Sequence, residues 1–259
     1  MLRINCILRS AAAMAGLLCL GTAATAEIVL VDFGRHNNGT DGTATTSPDV
    51  NGNYWNNFSE NGDFEVPLGF ARNDLLATDN TATAIDFQTT TRFRSNGRQN
   101  GGLLSPDPAL LGDFAIGTAT EDYWFTENGL GGTGSMVFSD LDPSMLYNFR
   151  LFGTRNTDAG GVRTTSYTVT GGDGPVSQDL QTSGAGSSAT AGYFGNNDTI
   201  ISFTGVSPDA NNEITLDLTV VNGGFAYLGV LELTAVPEPG SLALGATTAG
   251  LLLLRRRKA

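Results

Sequence analysis

Between positions 213 and 221 the apolar residues Ile214, Leu216, Leu218 and Val220 occupy every second place, against Glu213, Thr215, Asp217 and Thr219. A period of two puts one set on a core and the other in water, which is the pattern of a half-buried strand and not of a helix. Asn222-Gly223-Gly224 follows, a run that tolerates the positive φ of a tight turn. The mostly apolar stretch 225–233 then reads as the returning arm of a hairpin. Similar short runs of β-branched and aromatic residues recur at 28–33, 84–87, 122–125, 136–138, 146–152, 164–170 and 199–203, punctuated by Gly, Asn, Asp, Ser and Pro. Between the two end segments no window of a dozen residues carries an apolar stripe at helical spacing. The expected fold class is therefore all-β: an antiparallel β-sandwich, jelly-roll-like, of two packed sheets. A fixed-period repeat, which a β-helix would require, is absent from the sequence.

Two stretches poor in apolar residues, 34–62 and 171–192, read as long loops. Loops of that length in a sandwich are mobile or functional. No linker separates two cores, so the organisation expected is a single domain over 27–235 with a short segment at either end.

Charge removes several function classes. Six of the 14 basic residues stand at the two ends, leaving 8 arginines and no lysine against 25 acidic residues between Glu27 and Val236. A body with a net charge near −17 repels phosphate backbones, so nucleic acid is excluded as a partner. Both cysteines, Cys6 and Cys19, precede the body, which excludes a disulfide framework, an iron–sulfur centre and thiol catalysis there. His36 is the only histidine and no G-x-S-x-G elbow occurs, so neither a serine triad nor a histidine-rich zinc site can be assembled. His36 reads as a loop histidine. The glycine-rich run Gly129 to Gly134 lies between strands rather than at a helix start, so it does not point to phosphate.

Three chemistries remain open. The cluster Tyr54, Trp55, Asn56 and Asn57, in a polar stretch, pairs rings that stack on sugar faces with amides that bond hydroxyls, and is the candidate polysaccharide site. Asp140 and Asp142, with Asp41 and Asp49 elsewhere, offer hard oxygen ligands for a structural calcium, although no EF-hand loop is present. Glu60, Glu65, Glu121, Glu127 and Glu213 supply carboxylates from which a glycosidase pair could be drawn. No residue is assigned a catalytic role.

The ends read as processing segments. Arg3 and Arg9, an apolar run over 11–20 and the ending Ala24-Thr25-Ala26 form the three parts of a secretory signal peptide over 1–26. At the other end, over 236–259, Pro237-Glu238-Pro239 precedes an uncharged apolar segment at 242–254, then Arg255, Arg256, Arg257 and Lys258. This end resembles the PEP-CTERM sorting signal of exopolysaccharide-producing Gram-negative bacteria, in which a Pro-Glu-Pro motif, a transmembrane-like helix and an arginine cluster follow one another. The resemblance implies recognition by an exosortase, with Pro237, Glu238 and Pro239 read by that processing enzyme and the chain held in the inner membrane before processing. The polar interruption Ala246-Thr247-Thr248-Ala249 departs from the usual helix and weakens its span. The reading that follows is an exported protein of the cell surface or extracellular matrix, structural or adhesive, holding polysaccharide. Its rivals are a carbohydrate-active hydrolase or lyase using paired carboxylates, and a self-assembling subunit without a ligand.

Overall fold

The structure, a computed structural model, describes residues 26–37 and 40–238. The expected signal peptide, apart from Ala26, and the tail from Pro239 onward, with Arg255, Arg256 and Arg257, lie outside the described residues. Among the described residues no helix is long and apolar enough to cross a membrane.

Among the described residues fifteen strands run in chain order. They are β1 (Glu27–Phe33), β2 (Asn56–Phe58), β3 (Glu65–Val66), β4 (Ala71–Arg72), β5 (Asp86–Thr89), β6 (Phe93–Asn96), β7 (Tyr123–Glu127) and β8 (Thr133–Ser139). β9 (Met145–Phe152), β10 (Arg163–Gly171), β11 (Gly174–Ser183), β12 (Ile201–Val206), β13 (Ile214–Asn222), β14 (Phe225–Leu228) and β15 (Val230–Pro237) complete them. They form a sandwich-like arrangement of three sheets, ordered β12-β9-β15-β1-β2, β11-β10-β13-β8-β5-β4 and β14-β7-β6-β3. All pairings are antiparallel except the short one between β1 and β2. The third, smaller sheet is an addition to the two expected.

Side-chain alternation explains how the layers meet. Val29, Val31 and Phe33 of β1, Phe149 and Leu151 of β9, and Leu231 and Leu233 of β15 face Met136, Phe138, Tyr167, Leu216 and Leu218 of the second sheet. Each such side chain contributes about 1.5–3 kcal/mol on burial. The strand at 28–33 is apolar on both faces because its other face is covered too. Leu30 packs there with Trp55, Phe114, Phe152 and Val230, under a segment carrying the short helices Pro108–Leu111 and Gly117–Thr120. β7 divides in the same way, with Trp124 inward and Tyr123 and Phe125 on the outer cluster with Tyr227.

Two expectations fail. The stretch 213–221 does form a strand with its apolar set buried, but not the expected hairpin. Both edges of β13 are taken by β10 and β8. Gly223 and Gly224, at φ +73° and +79°, turn the chain out of that sheet, and the apolar return splits at Gly229 into β14, which pairs β7, and β15, which pairs β9 and β1. The stretch 171–192 is likewise not one loop, since β11 runs through it and pairs β10 along nine positions. It is polar because it is an edge strand. Its Gln178 side chain donates to the Ser202 carbonyl at 2.6 Å, tying this edge to that of the facing sheet.

Candidate functional site

Where β1 ends, the chain turns through Gly34 and Arg35 to bring His36 back against Asp32. His36 Nε2 lies 3.4 Å from Asp32 Oδ2 and 3.6 Å from Asp122 Oδ2. Asp122 immediately precedes β7, so the three side chains join the first sheet, the third sheet and the turn between 34 and 45. Both aspartates are 0% exposed and the His36 side chain 8%. One oxygen of each carboxylate is held by backbone: Thr45 N–H donates to Asp32 Oδ2 at 3.1 Å, and Arg35 N–H to Asp122 Oδ2 at 2.9 Å. The other oxygen of each, and His36 Nε2, have no hydrogen-bond partner. Burial, then the neighbouring Asp32 carboxylate, holds the Asp122 carboxyl well above the usual carboxylate range, against the opposing Arg35 N–H bond.

The turn is stiff. The Arg35 guanidinium bonds the Gly62 carbonyl at 3.0 Å and pairs with Asp41 at 3.1 Å. Asn37 both donates to and accepts from Asp41. The indole N–H of Trp124 donates to the Gly34 carbonyl at 3.1 Å. A Cβ at Gly34, Gly42 or Gly97 would overlap the Asp122 side chain, so glycine at these places lets three backbone segments close over one carboxylate. Sequence reasoning missed this group, setting His36 aside as a loop residue. The available signal was a charge inside an apolar run, Asp32 between Val31 and Phe33 and Asp122 before Tyr123-Trp124-Phe125.

The sequence-derived sugar candidates sit elsewhere and are committed. Trp55 is 3% exposed, and its indole N–H donates to Asp49 at 2.8 Å. It anchors the polar stretch to the second apolar cluster and offers no open face for stacking, which corrects its expected role as a platform. The Asn56 amide bonds the Leu30 and Leu76 carbonyls and accepts from Leu76 N–H. The Asn57 amide is exchanged with the Thr45 backbone. Tyr54 is half-buried. Asp140 and Asp142 are exposed in the turn between β8 and β9. Asp142 accepts from the Ser144 N–H and hydroxyl, which hold its carboxyl below the usual range, so it closes the turn. Pro237 ends β15 opposite Met145, and Glu238 is exposed just beyond it.

Among the glutamates, Glu65 and Glu127 are both paired with Arg94, and Glu121 with Arg98. Glu60, Asp63 and Glu65 line a groove of about 520 Å³ that also holds Arg92 and Arg94. A second groove, of about 410 Å³, lies between the 102–110 segment and the loop before β12. Its walls include Leu103, Leu104, Leu110 and Tyr193, with Asp107, Asn156, Thr190 and Asn197. Leu104 and Leu110 are 50% and 45% exposed. Asn197 donates to the Thr190 hydroxyl at 2.8 Å and accepts from Ser188 at 2.6 Å, which fixes the rim.

No family model and no curated protein matches this chain. Among solved structures, the carbohydrate-binding module TmCBM61 in complex with β-1,4-galactotriose matches at 12% identity and a TM-score of 0.29, over 56% of this chain and 88% of that one. The cleaved adhesin domain of Lys-gingipain from Porphyromonas gingivalis matches at 13% identity and 0.29, over 56% and 90%. An F5/8 type C domain from Bacteroides fragilis matches at 16% and 0.27, over 56% and 92%. Overlaps this loose carry neither a ligand nor an activity from those proteins to this one.

Proposed function

We propose that this chain is an exported, non-catalytic domain of the cell surface or extracellular matrix that holds polysaccharide in the groove between the 102–110 segment and Tyr193. Its C-terminal Pro-Glu-Pro motif and arginine cluster would route it through an exosortase, by the resemblance described above. The observation that carries the binding reading is the composition of the groove. Exposed leucines beside a half-buried tyrosine ring provide an apolar floor, and a fixed rim of amide, hydroxyl and carboxylate groups provides hydrogen bonds. That combination suits the apolar faces and hydroxyl edges of sugar rings. A volume of about 410 Å³ falls in the ~300–1,000 Å³ range of small-ligand sites. Against hydrolysis stands the engagement of Glu65 and Glu127, which share the Arg94 guanidinium.

The test is a glycan-array and polysaccharide pull-down screen of the full chain beside Tyr193→Ala and Leu104→Ser. At least one glycan should be retained, with a loss of tenfold or more in both variants and none in Tyr54→Ala. Absence of any retained glycan, or retention indifferent to both groove variants, refutes the proposal.

A further inference from the structure

The Asp32, His36 and Asp122 group buries more polar atoms than its protein partners satisfy. Each of the two buried carboxylates keeps one oxygen, Oδ1, without a partner, and the His36 imidazole, itself unpartnered at Nε2, lies against the Oδ2 of both. Buried charges persist when they are paired or when they coordinate a metal. A proton shared between His36 and an aspartate would draw nitrogen and oxygen to about 2.7–2.9 Å. The observed separations are 3.4 and 3.6 Å. Two ligand atoms each about 2.0–2.2 Å from one tetrahedral ion stand ~3.3–3.6 Å apart, which matches both separations. All three residues present ligand atoms within 4.8 Å of one another.

The supporting bonds fit the same reading. Ligating carboxylates are ordinarily held by outer hydrogen bonds, as Thr45 and Arg35 hold these two. We infer that Asp32, His36 and Asp122 form a buried structural site for a borderline divalent ion, zinc foremost, which fastens the 34–45 turn to the ends of two sheets. A nitrogen ligand and so few oxygens set the site apart from calcium, which takes six to eight oxygens, and from the exposed Asp140–Asp142 turn. The site is independent of the groove, so failure of one proposal leaves the other intact.

The experiment begins with the full chain stripped by a chelator and returned to zinc, manganese, calcium or magnesium chloride. Zinc should bind one per chain and raise Tm by about 5–10 °C at saturation, with a smaller rise for manganese and none for calcium. Cobalt(II) should give visible absorption bands characteristic of a nitrogen-containing shell. His36→Gln and Asp122→Asn should abolish both the zinc-dependent rise and the cobalt bands. Asp122→Asn keeps the shape and the acceptor for Arg35 N–H, so its metal-free circular dichroism should match wild type. A wild-type melt that ignores zinc, or cobalt bands unchanged in a folded His36→Gln protein, overturns the inference. If His36→Gln does not fold, the zinc response of Asp122→Asn decides alone.

Discussion

Trp124→Phe tests whether the central aromatic cluster and the Asp122 group are one mechanical unit. The Trp124 ring packs on Phe33, Phe70 and Phe93 with centroids 5.0, 5.1 and 5.8 Å away. Its N–H is the donor that reaches out of this cluster to the Gly34 carbonyl, in the turn that delivers His36. Phenylalanine keeps most of the ring contacts and loses the donor. Stripping a buried carbonyl of that donor costs about 1–3 kcal/mol, and the space left by the smaller ring adds about 1 kcal/mol. At roughly 2–4 °C per kcal/mol for a body of this size, Tm should fall by about 5–15 °C. Urea unfolding followed by far-ultraviolet circular dichroism should show a lower midpoint at unchanged slope. Zinc affinity should weaken in the same variant, because the Gly34 turn is no longer pinned. An unfolding free energy within about 0.5 kcal/mol of wild type, the range of an indifferent surface change, would refute the coupling.

Three shorter tests follow. A Cβ at Gly102 would overlap the Glu121 backbone carbonyl, which has no flexible end to move, so Gly102→Ala should cost about 2–3 kcal/mol in a urea titration. Burial pushes the Tyr147 hydroxyl up to about 12 and those of Tyr167 and Tyr123 higher still. Unfolded tyrosines ionise near ~10, so stability should hold below that pH and fall as pH rises from there through 12, with tyrosinate absorbance and loss of circular dichroism appearing together. Asp142→Ala should change stability by less than about 1 kcal/mol, since it removes only an exposed turn contact, and calcium should not alter the melt of either protein.

Much of the sheet architecture was legible because alternation reports burial directly, as in β9, β10 and β13. The signal failed where burial and composition part company. β11 is a strand whose outward positions face solvent at a sheet edge, so its residues read as loop. The return after Asn222 is apolar throughout, and apolarity does not say which sheet receives it; only the occupied edges of β13 decide that. The candidate site was less legible still. Trp55 in a polar stretch looked exposed because sequence shows its neighbours along the chain and not Phe114 or Val230 across it. Asp32 and Asp122 are separated by ninety positions of unrelated sequence, and the turn that joins them through His36 depends on glycines whose role appears only when three backbone segments converge.

The placement of β15 has a consequence for force. It lies between β9 and β1, paired along eight positions with one and six with the other. Its first residue, Val230, shares a cluster with Leu103 beside the proposed groove, and its last, Pro237, leads to Glu238 at the far end. Tension between a polymer in the groove and an attachment at the C terminus would therefore run along the strand axis. Both ladders would be sheared at once, so many hydrogen bonds must yield together instead of one after another, the geometry in which a sheet resists pulling best.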